Sequence, residues 1–195
     1  MKNLFYAMAL TAAVIGFQAC SGGNKDAKEN ADSLNMAKDT TSNVAATGGI
    51  AVPEEDAKFA TTAAVGGMAE VELGKMALEK SSNAQVKEFA TMMVNDHGKA
   101  NSELKMIAEA KNITLPTTVD DEHMKKMDEL SKKQGKDFDK AYVDAMVDGH
   151  KSTLDLMQKE AKDGMDAELK TFAGKTTPVV QAHLEMINKI KKDMK

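Results

Sequence analysis

The sequence predicts an all-α protein, a bundle of four long helices with one short extra helix. Composition is the first reason. Of 195 residues 42% are apolar but only 4% aromatic, with no Trp and three Pro. The core must therefore be built from Ala, Leu, Met and Val, and the β-branched and aromatic runs that strands favour are scarce. Periodicity is the second reason. Apolar residues recur at steps of three and four over long stretches, the spacing of helices that bury one face. The breaks between those stretches are short and polar, as in a bundle.

The chain opens on a different kind of segment. Lys2, an apolar run from Leu4 to Phe17 and the end Phe17-Gln18-Ala19-Cys20 read as a secretory signal, with an apolar core too short to span a bilayer stably. Residues 1–19 resemble a bacterial lipoprotein signal peptide, although Phe17 stands where Leu is usual. The resemblance implies cleavage before Cys20 and acylation of its thiol, hence a membrane anchor. The alternative is a soluble periplasmic protein with a free thiol. Cys20 is the sole cysteine, so no intramolecular disulfide can form. Residues 20–52, from the lipidated Cys onward, are rich in Gly, Ser, Asn, Thr, Ala, Lys and Asp and read as a flexible tether. The bundle domain is expected over 53–195.

Its first helix should start at Pro53-Glu54-Glu55, where Pro and acids suit a helix start, and run to about Lys80. Phe59, Ala63, Gly66, Glu70, Leu73 and Ala77 form its inward stripe, with Glu70 the exception. The pair Gly66-Gly67 marks a close crossing or a kink. Ser81-Ser82-Asn83 supplies an N-cap for a second helix ending near Asn112, and so short a connection makes the two antiparallel. Val86, Phe89, Ala90, Met93, Ala100, Leu104, Ile107 and Ala108 form its stripe, and His97 falls on it.

A non-helical crossover follows around Leu115-Pro116-Thr117-Thr118. The short helix from Asp120 to about Lys133 should hold Met124, Met127 and Leu130 inside. A long helix over Asp137–Lys162 is stopped by Asp163-Gly164. The last, from about Asp166, is expected to kink or break near Thr177, because Pro178 interrupts it.

Charge narrows the function. The net charge is −4 and every cation is Lys, whereas nucleic-acid binders present a basic face and use the planar fork of Arg. No nucleic-acid partner is expected. The residues that carry chemistry are histidines. His97, His150 and His183 lie on the buried stripes of three long helices and could converge on one ion, whereas His123 begins the short helix and should be exposed.

Each histidine has a Met one turn away: Met93, Met146, Met186 and Met127 respectively. Thioether with imidazole suits Cu(I), so Met93 and Met146 are candidate soft ligands. Glu70 as an anionic member would instead make a mixed site for Zn or Fe. The third reading needs no metal: Met is an adaptable core filler, and a buried histidine can simply pack. A di-iron bundle requires a carboxylate three residues before its histidine, and here those positions hold Val94, Val147 and Val180. Asp96 could orient a histidine from behind. Gly98 and Gly149, beside His97 and His150, suggest a tight crossing or room for a ligand.

Several blocks carry a wider resemblance: Gly66-Gly67-Met68-Ala69-Glu70-Val71-Glu72-Leu73-Gly74-Lys75, Val86 to Ala90, Met93 to His97, Leu115-Pro116, Phe138 to Tyr142, Met146 to His150 and His183-Leu184. In order and spacing, from about Asp56 to Ile190, they resemble the bacterial envelope family catalogued as domain of unknown function DUF4142, often labelled as outer membrane proteins. The resemblance implies a ferritin-like antiparallel four-helix bundle, exported and facing the periplasm, with outer-membrane attachment and no established activity. The Met-Val-x-x-His blocks are also similar, over a short stretch, to a four-helix family linked to periplasmic copper handling.

The expectation is thus a lipid-anchored, non-enzymatic bundle that binds Cu, Zn or Fe, or serves in envelope stress tolerance. A structural or interaction module without metal comes second and a ferritin-like oxidoreductase last. No catalytic residue is expected.

Overall fold

The computed structural model describes residues 26–39, 50 and 52–194. The expected signal peptide, Cys20 and most of the linker around them lie outside the described residues. Among these residues seven α-helices follow one another: α1 (Ala27–Asp39), α2 (Glu54–Lys80), α3 (Ala84–Met92), α4 (Gly98–Ala110), α5 (Asp121–Ser131), α6 (Gly135–Asp163) and α7 (Ala167–Asp193). A five-residue π turn, Met93–His97, joins α3 to α4, so the two make one long rod with a local widening. All the regular structure among the described residues is helical.

Local chemistry explains the boundaries. Pro53 precedes α2 and Glu54, Glu55 and Asp56 fill its first turn, where negative charge meets the positive end of the helix dipole. Asn83 caps α3 by accepting from the backbone N–H groups of Gln85 and Val86, and Asp166 does the same for Glu168 and Leu169 at the start of α7. Asn112, at φ 57°, ends α4 while Ile113 N–H reaches back to the Ala108 carbonyl at 2.8 Å.

Cross-helix bonds at the rod ends give the topology. Lys80 at the end of α2 reaches the Ser131 carbonyl and sits over the Phe138 ring at the start of α6. Gln85 at the start of α3 meets Asp193 at the end of α7. Lys111 after α4 bridges to Asp166 and Glu168 at the start of α7, and Lys191 pairs with Asp144. Neighbouring rods are therefore antiparallel in the ring order α2, α3–α4, α7, α6. The segment 111–134, with α5 in it, crosses from one hairpin to the other.

Two apolar clusters fill the bundle. One holds Leu73, Phe89, Met93, Tyr142, Met146 and Ile187. The other holds Phe59, Ala60, Leu104, Met157, Leu169 and Phe172. On each rod the boundary between them falls at one polar residue: Glu70, His97, His150 and His183.

Several expectations need correction. The stretch 20–52 is not tether throughout, because α1 lies within it and docks on the bundle. Ala31 and Asn35 are buried there, and the Asn35 amide both donates to and accepts from the backbone of Thr114. Asp32 accepts from the Thr61 hydroxyl at 2.6 Å. These anchors are polar, so they left no apolar stripe to read. Met124, placed inside, is exposed.

Pro178 neither ends nor splits α7. Pro costs α7 one N–H donor, but Thr177 ties its hydroxyl to the Ala173 carbonyl and Gly174, whose carbonyl loses that donor, is exposed.

Gly67 does mark a close approach, since a Cβ there would lie 2.1 Å from Asn101 Oδ1, yet at Gly66, Gly98 and Gly149 an added Cβ meets nothing within 4 Å. The tight crossing expected at Gly98 and Gly149 is absent.

Candidate metal centre

Each of the four long rods delivers one polar side chain to the waist of the bundle. Small residues of α2 make this feasible. A Cβ on Gly74 would stand 3.0 Å from the Ala90 carbonyl and 3.2 Å from Met93 Cβ, so α2 lies almost on the backbone of α3. One turn earlier, Glu70 projects toward the π turn that ends in His97. π turns widen a helix by one residue and recur at functional sites. Consecutive residues of this one, Asp96 and His97, reach the two flanking rods, α7 and α2 respectively.

Glu70 Oε2 lies 2.8 Å from His97 Nδ1, and Glu70 Oε1 lies 3.5 Å from His150 Nδ1. His150 Nδ1 is also 2.9 Å from the Met146 carbonyl. His183 Nε2 is 3.2 Å from Asp96 Oδ2. The ring centroids of His97, His150 and His183 are 5.4 to 5.6 Å apart. One ring nitrogen of each lies within 4.8 Å of those of the other two. His150 is 0% exposed, His183 3% and His97 5%, and Phe89 walls the group against His150 and His183.

The partners decide where the protons sit. Carbonyl and carboxylate oxygens only accept, so each ring places N–H on the nitrogen facing its oxygen: Nδ1 in His97 and His150, Nε2 in His183. The other nitrogens, His97 Nε2, His150 Nε2 and His183 Nδ1, are buried with no hydrogen-bond partner among the described residues. In neutral rings they carry lone pairs. Ring N–H held from behind by an oxygen, with the second nitrogen bare, is how proteins orient metal-binding imidazoles.

Electrostatics divide the group. Burial works to raise the pKa of Glu70, but the charges and hydrogen bond of its histidine neighbours, His97 foremost, outweigh it and hold the carboxyl below the usual range. Burial pulls His97 down, and Glu70 with Asp96 more than reverses this. His150 is lowered, by burial first and by His97 as well. His183 is pushed down to about 4, again by burial and then by His97. Burial thus favours the neutral form of His150 and His183, whereas Glu70 favours the proton on His97, which an ion bound at Nε2 would displace. Burial, with Glu70 nearby, also drives the Tyr142 hydroxyl far above its ordinary range.

Among the expected site residues, the structure gathers His97, His150, His183 and Glu70. Met93 and Met146 are buried in the adjoining apolar cluster; the contact Met146 makes with the site is through its carbonyl. His123 stands apart, half-buried, its Nδ1 2.5 Å from Asp120. The π turn escaped sequence reading, for no Gly or Pro in Met93–His97 signals it.

The chain belongs to the family described as Domain of unknown function (DUF4142), whose profile matches residues 39–190. None of the curated proteins compared matches it. Among solved structures it is similar to CopM in its Cu(I)-bound form, with 16% identity and a TM-score of 0.61 over 71% of this chain and 96% of that one. CopM in its Cu(II)-bound form matches at 15% identity and a TM-score of 0.62, over 72% and 97%. The DUF305 protein of Streptomyces coelicolor matches at 14% identity and a TM-score of 0.61, over 71% and 93%. At such identities the likeness is one of fold, an all-helical bundle.

Proposed function

We propose that this protein binds one transition-metal ion at the waist of its bundle and acts by sequestering it. His97, His150 and His183 are the nitrogen ligands and Glu70 balances the charge. The observation that carries this reading is the trio of buried ring nitrogens without partners, each on a ring whose other nitrogen faces an oxygen. Metal–nitrogen bonds near 2 Å put the three nitrogens about 3.5 Å apart, and one nitrogen of each ring already lies within 4.8 Å of the others.

Copper is the first candidate, ahead of Zn(II) and Fe(II). It heads the affinity order for imidazole sites, and the likeness in fold to copper-bound CopM supports it. For Cu(I), the thioethers of Met93 and Met146, one turn from His97 and His150, are the candidate soft donors.

The test is a competition titration of the whole chain with Cu(I), Cu(II), Zn(II) and Fe(II). One ion per chain should bind with Kd well below about 1 μM, and His150→Ala should weaken it at least tenfold. Binding no tighter than micromolar for every ion refutes the proposal.

A packing reading has one observation in its favour: the 2.8 Å contact of Glu70 with His97 already pairs two buried groups. It predicts that His97→Gln shifts melting temperature and nothing else.

The cellular setting belongs to the same proposal. An exported protein held at the outer membrane through acyl groups on Cys20 would sequester metal at the periplasmic face of the envelope. Support comes from the sequence of residues 1–20. Among the described residues no helix is long and apolar enough to cross a membrane. Mass spectrometry of the mature N-terminus tests the anchor, and an unmodified Cys20 rejects it.

A further inference from the structure

Ligands so deeply buried raise the question of how an ion arrives. A groove of about 410 Å³ runs between α2 and α6 under the start of α5, and Glu70 and Met146 line it. Glu70 is therefore both a buried member of the centre and part of the groove wall. Gly66, one turn before Glu70, and Gly149, next to His150, also line it. A Cβ on either would meet nothing within 4 Å. These two positions leave the wall bare beside Glu70 and His150 in the sequence of their helices. A larger groove at the bundle end, lined by Asn83, Lys136, Asp139 and Lys191, touches none of the four central residues.

The rim has its own chemistry. His123 and Glu122 of α5 and Asp148 of α6 border the same groove. His123 Nδ1 is engaged by Asp120, which puts the ring proton there and leaves the Nε2 lone pair for a ligand, as in the buried rings. The exposed carboxylates of Glu122 and Asp148 outnumber Lys126, the one lysine among the lining residues, so the mouth keeps a negative balance that favours a cation.

We infer that the α2–α6 groove is the route by which the ion reaches the centre, with His123 the first ligand it meets and Glu70 the inner wall, where its charge draws the ion on. This rests on the metal-binding reading above. Transfer is a ligand exchange without redox change: water on the hydrated ion is replaced by His123, then His123 by the three central imidazoles. Because Gly66 and Gly149 serve passage and not coordination, filling them should alter the rate of loading and not its equilibrium.

The experiment uses the full chain and Zn(II) or Cu(II) presented by a coloured chelator, with loading followed by stopped flow and affinity by equilibrium competition. Gly149→Leu should slow loading at least tenfold and leave Kd within threefold, and Gly66→Leu on the opposite wall should do the same. His123→Ala should slow loading severalfold at unchanged Kd. Gly174→Leu, an exposed α7 position with equal room for a side chain, should load like the unsubstituted chain. Loading of both groove variants at the unsubstituted rate overturns the route while the binding reading stands. Failure of the unsubstituted chain to bind either ion at equilibrium removes the centre and the route with it. Should Gly149→Leu lose its helical circular dichroism, Gly66→Leu and His123→Ala decide.

Discussion

Three glycines on α2 allow the packing around the centre to be tested by addition of a single methyl group. In an exposed helix interior, replacing Gly by Ala gains about 1 kcal/mol of stability. That gain is common to Gly66→Ala and Gly74→Ala, so the difference between them reports what the methyl meets. At Gly66 it meets nothing within 4 Å. At Gly74 it stands 3.0 Å from the Ala90 carbonyl, 3.0 Å from Val94 Cγ2 and 3.2 Å from Met93 Cβ. Backbone cannot swing aside as a side-chain tip can, so α2 must retreat from α3 by a few tenths of an ångström, and overpacking of this kind costs about 1–3 kcal/mol.

Gly66→Ala should therefore be stabilised by about 1 kcal/mol and Gly74→Ala fall about 1–3 kcal/mol below it. Gly67→Ala should fall between, because its methyl meets the movable amide of Asn101. Urea unfolding followed by far-UV circular dichroism measures all three. If Gly74→Ala is as stable as Gly66→Ala, α2 does not lie against the backbone of α3, and the placement of Glu70 beside the π turn loses its physical basis.

Other expectations are independent of that one. Tyr142→Phe removes a buried hydroxyl with no partner among the described residues and should leave stability unchanged or raise it by up to about 1 kcal/mol; a clear loss in thermal unfolding would reveal a partner. Glu160 is buried beside Asp56, and burial first, then Asp56, raise its pKa to about 7. A carboxyl raised in this way favours the folded state while protonated, and that advantage is lost as pH rises from the unfolded value through about 7. Glu160→Gln should therefore melt like the unsubstituted chain near pH 5 and be more stable at pH 8, by on the order of 1 kcal/mol after screening by solvent. Asn35→Ala cancels both bonds to Thr114, each worth about 1 kcal/mol net, so amide hydrogen exchange should speed in α1 and stay slow in α6 and α7.

The sequence disclosed most where one physical signal dominates. Apolar periodicity located α2, α3–α4, α6 and α7 because each buries a continuous stripe, and the capping role of Asn83 followed from a short polar side chain set before the second of those stripes. The gathering of His97, His150 and His183 was legible for the same reason: each sits on a stripe, and stripes face inward. Glu70 stood out as a charge on an apolar face. What escaped was held by other means. α1 docks through Asn35, Asp32 and Lys38, and polar docking has no period. The π turn has no mark in Met-Val-Asn-Asp-His, which reads as ordinary helix. The groove at Gly66 and Gly149 was only half visible, since a mid-helix glycine fits crowding and vacancy equally well until a neighbour is placed beside it.

The composition of the centre also bears on what an ion there could do. Two-metal carboxylate bundles bring a Glu and a Glu-x-x-His pair from facing helices, so that carboxylates bridge the metals and tolerate changes of charge. Here the residues three before the histidines, Val94, Val147 and Val180, are apolar, and Val147 and Val180 are buried. One carboxylate, Glu70, serves the whole set, and Asp96 is turned to the back of His183. Three imidazoles, with Glu70 to balance the charge, suffice for a single ion, and among the described residues they form a single cluster of this kind. An apolar cluster above and another below confine it, so solvent and larger substrates are kept from the ion. A centre with this donor count and this enclosure is suited to holding a cation.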